Sequence, residues 1–368
     1  MSMRKVLASP SRYVQGKGEI ANIAEFSAPL GKSAFVLISA NGVKRNGGDI
    51  EKSFSEKGIK YIFVDFGGES SREEIEKLRK DYTNAGCDFV VGVGGGKIID
   101  TAKAVAYYES CPVVIVPTIA ATDAPCSALT VLYTPDGQFD AYLFLPKNPD
   151  VVLVDTGIIV KSPPRLTVSG MGDALATYFE AKSSIAKDAD NFVGGKAPEA
   201  AFAIAMLSYD ILLSHGRSAV EALNVGAITQ AVEKVIEANT LLSGIGFESC
   251  GVAAAHSIHN GLTALEETHD YYHGEKVSFG VVTLLVLEDY SKEEMEEVYN
   301  FCISVGLPVT LKELGIENVS RERLMKVAEL ACAEGETIAR TSVAVTPDDV
   351  VDAMLAADAL GRMYMAEY

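Results

Sequence analysis

The sequence predicts two successive architectures, an α/β domain built on a parallel sheet and then an all-α domain. From about residue 33 to 155, short β-branched runs alternate with polar segments of helical period, the pattern of strand-helix-strand units. After KSPPRL, where Pro163 and Pro164 interrupt regular structure, β-type runs largely disappear and alanine- and leucine-rich helical patterns continue to the C-terminus. The expected domains are residues 1–160 and 161–368. A chain of 368 residues that is 48% hydrophobic and 22% charged has apolar surface enough for a core in each.

Taken in order, the strand candidates are AFVLIS, YIFVDF, DFVVGV, PVVIVP and VVLVD. Between the second and third, Ser71 and Glu74 stand at capping-box spacing, and Ile75, Leu78 and Tyr82 follow at helical intervals, so one face of that helix meets the sheet. DFVVGV runs into Gly94, Gly95 and Gly96 and then a helix. PVVIVP leads into PTIAATDAPCSALTVLY, read as a proline-punctuated loop rich in threonine and serine. In the second half, SGMGDALATYFEA sets Asp173 into a pattern otherwise suited to a buried helix, where a lone aspartate most often caps an N-terminus.

Charge and composition exclude several function classes. Lysine and arginine total 32 against 50 acids, a net charge of −18 with no basic block, which argues against nucleic acid and anionic membranes as partners. The start, MSMRKVLASPSRYVQG, lacks the apolar core of a signal peptide, and no uninterrupted apolar run reaches the roughly 18 residues of a membrane span, so a cytoplasmic protein is expected. The six cysteines are scattered, without the close pairs of a thiolate metal site or the density of a disulfide framework.

Three stretches carry chemistry. In GVGGGKIIDTAKAVAYY, three glycines between a buried strand and a helix suit a close backbone approach to a phosphate at the helix N-terminus. The stretch matches neither the standard dinucleotide fingerprint, since Lys97 stands where a third glycine belongs, nor a Walker loop, since Ile98 follows that lysine; it also reads as a tight connection. The loop around Asp123 follows a strand at the sheet end where open parallel sheets bind ligands, although Thr122 and Asp123 also suit local turn hydrogen bonds. Finally, AAAHSIHNG and THDYYHGEK gather four of the five histidines: His256 and His259 share a helix face, with His269 and His273 close behind, a density that favours a metal site.

Together SRYVQGKG, GVGGGKIIDTAKAVA, TDAPCSALTV, LVDTGIIVKSPPRL, GMGDALATYFEA, LLSGIGFESCGVAAAHSIHNG and HGEKVSFG resemble the glycerol dehydrogenases of the iron-containing, or group III, alcohol dehydrogenase superfamily, over nearly the whole chain. The resemblance implies a Rossmann-like α/β domain followed by a helical one, the dehydroquinate synthase-like fold, and NAD-linked oxidation of glycerol to dihydroxyacetone. It implies Asp173, His256 and His273 as ligands of one zinc ion, with iron the less expected metal. Gly94, Gly95, Gly96 and Lys97 are implied around the cofactor pyrophosphate, with Asp100 arranging the loop. Thr118, Thr122, Ser127, Leu129 and Tyr133 are implied along the cofactor cleft. Asp123 resembles the polyol-binding acid and Phe247 a wall of the substrate pocket. His259 is implied near the nicotinamide or substrate without holding metal, or as a structural histidine on its helix face. A homo-oligomer, an octamer by resemblance, is also implied.

One departure concerns the cofactor. The family's acid after the first strand of this region, which accepts hydrogen bonds from the adenosine ribose, is replaced in FVLISANGV by Ala40, with Asn41 beside it and Lys44 and Arg45 close by. NAD is favoured, and NADP or a relaxed preference stays open. The alternatives are a glycerol-1-phosphate dehydrogenase, for which the site segments show little positive charge, another diol or polyol dehydrogenase, and an inactive dinucleotide-binding sensor.

Overall fold

A computed structural model describes residues 4–368. The chain divides into two compact units, one of residues Ala8–Pro163 and one of Pro164–Tyr368 with residues 4–7. The N-terminal residues join the helical unit because Lys196 binds them: its amide donates to Arg4 O at 2.8 Å and its carbonyl accepts from Val6 N at 3.2 Å.

The first unit holds strands β1 (Tyr13–Gly16), β2 (Ser33–Ile38), β3 (Lys60–Val64), β4 (Phe89–Gly94), β5 (Val113–Pro117), β6 (Leu129–Tyr133), β7 (Phe139–Phe144) and β8 (Val151–Asp155). Six of them make one sheet in the order β1-β8-β5-β4-β2-β3, every neighbouring pair parallel. All five strand candidates are strands. β4, β5 and β8 are buried throughout, the condition that lets near-continuous valine and isoleucine run along a strand covered on both faces. β3 is an edge strand and its burial alternates. The order of the sheet reverses between β2 and β4, the switch point beyond whose carboxyl ends open α/β sheets bind ligands.

Two features of this unit differ from expectation. LTVLY is not loop: β6 pairs antiparallel with β7 as a separate two-stranded ribbon, its alternating burial marking a strand with one covered face. The Ser71–Glu74 capping box forms only in half. Ser71 Oγ accepts from Glu74 N at 3.2 Å, but the Glu74 carboxylate turns to Gly67 N at 2.8 Å instead of the cap amide. The helix itself, Arg72–Ala85, buries Ile75, Leu78 and Tyr82 as its periodicity predicts.

The second unit is helical. Its main helices are Pro164–Ala186, Glu199–Asn224, Ala254–Leu262, His273–Leu287, Lys292–Val305, Arg321–Ala331 and Pro347–Glu367. Pro164 opens the first, where the missing N–H costs no hydrogen bond. The His273–Leu287 helix is buried from Gly274 to Leu285 because VSFGVVTLLVL is uncharged and largely apolar around the helix, as a central helix must be. No helix among the described residues is long and apolar enough to cross a membrane.

Candidate active site

Three helices of the second unit bring the expected metal ligands together. Asp173 lies mid-way along Pro164–Ala186 and is 1% exposed, so it caps no N-terminus. Gly274 touches that helix backbone to backbone: a Cβ there would fall 1.7 Å from Ser169 O, and its amide donates to Ser169 Oγ at 3.1 Å. Gly280 does the same for the Ala254–Leu262 helix, where a Cβ would fall 2.3 Å from Ala255 O. Any larger side chain at either point would hold the helices apart. Asp173 Oδ1 therefore lies 3.1 Å from His273 Nε2 and 3.3 Å from His256 Nε2, and ligand atoms of all three residues fall within 4.8 Å of one another.

Behind each imidazole stands a residue that orients it. Glu180, fully buried, sits seven residues after Asp173 and so two turns along the same helix face. Its Oε2 is 2.5 Å from His256 Nδ1, while Oε1 accepts from Ala253 N at 2.8 Å and His256 N at 3.0 Å. One carboxylate thus caps the helix and fixes the ring. With its proton on Nδ1, His256 turns a bare Nε2 toward Asp173. His273 Nδ1 in turn lies 3.1 Å from His259 Nε2, His259 Nδ1 lies 3.0 Å from Asn260 Oδ1, and Asn260 Nδ2 donates to the Glu336 carboxylate at 3.1 Å. A proton on each Nδ1 satisfies every link of that chain and again leaves His273 Nε2 bare.

Without an ion, protons supply the positive charge that this pocket calls for, and the imidazoles then donate to Asp173. Burial works against the Asp173 carboxylate, yet the charge of His273 and hydrogen bonds from both histidines hold its carboxyl well below the usual range. Burial also works against charge on His256, but Glu180 and Asp173 raise its pKa well above that of a free histidine. His259 goes the other way, pushed well down by burial and by His273, Lys276 and His256. Two buried carboxylates around two imidazoles make a pocket that demands positive charge. One carboxylate oxygen and two bare imidazole nitrogens fit a divalent ion such as zinc and leave room for a further ligand.

Sequence reasoning missed Glu180. Its signal is the seven-residue interval from Asp173 on an alanine-rich helix, where a second acid has no solvent to face. His215 and His269 stand apart, His215 against exposed Lys234 and His269 against Thr263 O at 2.9 Å. Glu267 pairs with Arg323 near the surface. Phe247 is buried on the Ser243–Cys250 helix, with Phe192 edge-on at 6.3 Å.

In the first unit β4 delivers Gly94 to the sheet end, and Gly95 opens the 14-residue helix Gly96–Glu109 without a side-chain cap. None of the three glycines takes a left-handed φ, so their purpose is space and not a sharp turn. A Cβ on Gly94 would fall 2.5 Å from Ile98 Cδ1, whereas one on Gly96 would meet nothing within 4 Å. The uncapped amides and the open space at Gly96 make a cradle that fits a phosphate. Thr118 N donates to Gly94 O at 2.9 Å, fixing the neighbouring loop to this turn. Lys97 Nζ is 2.5 Å from Glu69 Oε2.

Asp100 is buried against Thr130 and Val131 of β6, and burial raises its pKa. Lys103, overlooked in the sequence, is its charge partner and works against that rise. Its ammonium group has no solvent exposure, lies 3.5 Å from Asp100 Oδ1, and donates to Ala124 O at 2.9 Å, Ser127 O at 3.3 Å and Leu129 O. The pair thereby ties the glycine-turn helix to the segment carrying Asp123, Ser127 and Leu129. Ser127 Oγ lies inside this network, 3.5 Å from Lys103 Nζ, and Asp123 is 9% exposed at the head of the Ala124–Cys126 turn. Thr122 and Leu129 are half-buried, and so is Tyr133, whose hydroxyl pKa burial raises.

Comparison with known proteins agrees with this geometry. Residues 10–156 match the profile of the iron-containing alcohol dehydrogenases. The chain is 55% identical to a glycerol dehydrogenase of Thermotoga maritima over 96% of its own length and 97% of that protein's. It is 46% identical to a glycolaldehyde reductase of Halobacterium salinarum, covering 98% of this chain and 99% of the relative. A crystal structure of a probable glycerol dehydrogenase from Sinorhizobium meliloti superposes with a TM-score of 0.93 at 47% identity, covering 98% of this chain and 100% of that one. The chain belongs to the iron-containing alcohol dehydrogenase family, among its oxidoreductases of the glycerol dehydrogenase type.

Proposed function

We propose that this chain interconverts glycerol and dihydroxyacetone: glycerol and NAD+ give dihydroxyacetone, NADH and one proton. The observation that carries the reading is the convergence of Asp173, His256 and His273 ligand atoms within 4.8 Å, in a chain 55% identical to a glycerol dehydrogenase. These three residues would hold a divalent ion, zinc in preference to iron. When bound, the ion supplies Lewis acidity toward a substrate hydroxyl and the nicotinamide supplies the hydride acceptor.

The chain's own residues do the rest. Glu180 and His259 orient the two imidazoles so that each Nε2 faces the position of the ion. Asp123 accepts hydrogen bonds from the polyol hydroxyls, and Phe247 walls the substrate from water. Gly94, Gly95, Gly96 and Lys97 receive the pyrophosphate. Thr118, Thr122, Ser127, Leu129 and Tyr133 line the cofactor cleft, whose loop Asp100 and Lys103 hold in place. A homo-oligomer, an octamer by family resemblance, and a cytoplasmic location belong to the same reading.

A second reading, reduction of a short hydroxyaldehyde, draws on the 46% identity to a glycolaldehyde reductase. Initial rates separate the two. NADH formation is measured with glycerol, 1,2-propanediol and glycerol 1-phosphate, and NADH consumption with dihydroxyacetone and glycolaldehyde, before and after chelation. Chelator-sensitive turnover of glycerol and dihydroxyacetone supports the proposal. Faster reduction of glycolaldehyde favours the second reading, and preference for the phosphate ester refutes both.

A further inference from the structure

Ala40 leaves open what discriminates the cofactor, since no acid follows β2. The helix that begins at Ala40 starts at the switch point of the sheet: Ser39 caps it by accepting from Gly42 N at 3.1 Å, and Ile38 pairs with Val93, one residue before Gly94. A dinucleotide with its pyrophosphate at the Gly96 cradle extends its adenosine ribose over the neighbouring strand, where nucleotide-binding sheets generally place a carboxylate.

A carboxylate is there, from a different strand. β3 pairs with β2 up to Val64 opposite Leu37, and the next residue is Asp65. Its Oδ1 accepts a hydrogen bond from the amide of Ala40 itself at 2.9 Å. Asp65 is exposed, and its hydrogen bond to Ala40 N uses one oxygen only. Lys44 and Arg45, also exposed, stand a helical turn beyond Ala40, whereas Asp65 is bonded to the residue at the empty position.

We propose that Asp65 is the residue that selects NAD over NADP in this chain. The inference rests on the nicotinamide reading above. One oxygen is held by Ala40 N, which fixes the carboxylate in position, and the other accepts hydrogen bonds from the adenosine ribose hydroxyls. A 2′-phosphate at the same place would meet a like charge and lose those bonds, so NADP is rejected.

Binding tests this without turnover. Dissociation constants for NADH and NADPH are measured by fluorescence titration on the wild-type chain, Asp65→Asn and Asp65→Ala, with thermal unfolding as the check on folding. Asp65→Asn keeps an oxygen for Ala40 N but removes the charge. The wild-type chain is expected to favour NADH, and the NADPH-to-NADH ratio of dissociation constants to fall by about tenfold in Asp65→Asn. An unchanged ratio in Asp65→Asn, with an unchanged melting temperature, would show that Asp65 only caps the helix and would overturn the assignment alone. Failure of the wild-type chain to bind either dinucleotide would overturn the cofactor reading and this inference together.

Discussion

At the scale of single residues, charge without solvent explains most of the candidate site. Asp173, Glu180, Asp100 and Lys103 are all buried, and each is satisfied by a named partner, the condition under which buried charge is tolerated. Glu180 is the sharpest case because it touches His256 and would act on a bound ion only through that ring. Replacing it by glutamine keeps an oxygen for the two backbone amides and removes the charge behind the ring. Asp173 and His256 remain, so Glu180→Gln should still fold and bind metal, with affinity about 10- to 100-fold weaker in a chelator competition. Undiminished affinity would reduce Glu180 to a helix cap. The histidine cluster was legible because histidine is scarce, whereas the choice of Asp173, His256 and His273 as ligands came from the family resemblance. Glu180 and Lys103 were not legible, because a lone Glu or Lys in a sequence most often marks a solvated face; only the packing shows that neither has water to face.

At the scale of elements, contact distance between helix backbones sets the geometry. A methyl group at Gly274 has no room beside Ser169 O, whereas one at Gly96 meets nothing within 4 Å. Gly274→Ala should therefore destabilise the fold by about 1–3 kcal/mol and weaken metal binding. Gly96→Ala should leave the melting temperature nearly unchanged and weaken NADH binding. Equal effects of the two on thermal unfolding would contradict this division. Lys103→Met strands Asp100 beside β6 and should cost about 3–5 kcal/mol in denaturant unfolding, with part recovered by adding Asp100→Asn. No recovery would mean that the lost carbonyl contacts, and not the stranded acid, dominate. The buried strands were plain in the sequence because β-branched runs in a doubly covered sheet need no alternation. The β6–β7 ribbon was missed because LTVLY reads as the end of a proline-punctuated loop, although its partner Phe139–Phe144, FDAYLF, is apolar and aromatic enough for a strand.

For the whole molecule, metal and stability are linked through pH. His256 has a folded-state pKa above its unfolded value of about 6.5, so its stabilisation is complete below that pH and is lost as pH rises through the folded value. Asp173 has a depressed pKa, so its stabilisation is present above about pH 4 and is lost as pH falls through the folded value. His259, whose folded-state pKa is depressed by burial, removes stability as pH falls below about 6.5, so the metal-free protein should be most stable at about pH 6.5 and lose stability on either side. The metal-loaded protein should show the opposite slope over the same rise, because protons compete with the ion for both imidazoles. Melting temperatures with and without chelator across pH 5 to 9 check this, and parallel slopes would argue against ligation by His256. The glycine turn and the metal ligands belong to separate compact units, so chelation should remove turnover while leaving NADH binding in place.

The central claim is that Asp173, His256 and His273 hold the ion on which glycerol oxidation depends. The most direct measurement is glycerol-dependent NADH formation by metal-stripped protein during titration with zinc. No turnover is expected at the start, followed by a rise that ends at one ion per chain and is absent in His256→Ala. Full turnover by protein verified to be free of metal would contradict it.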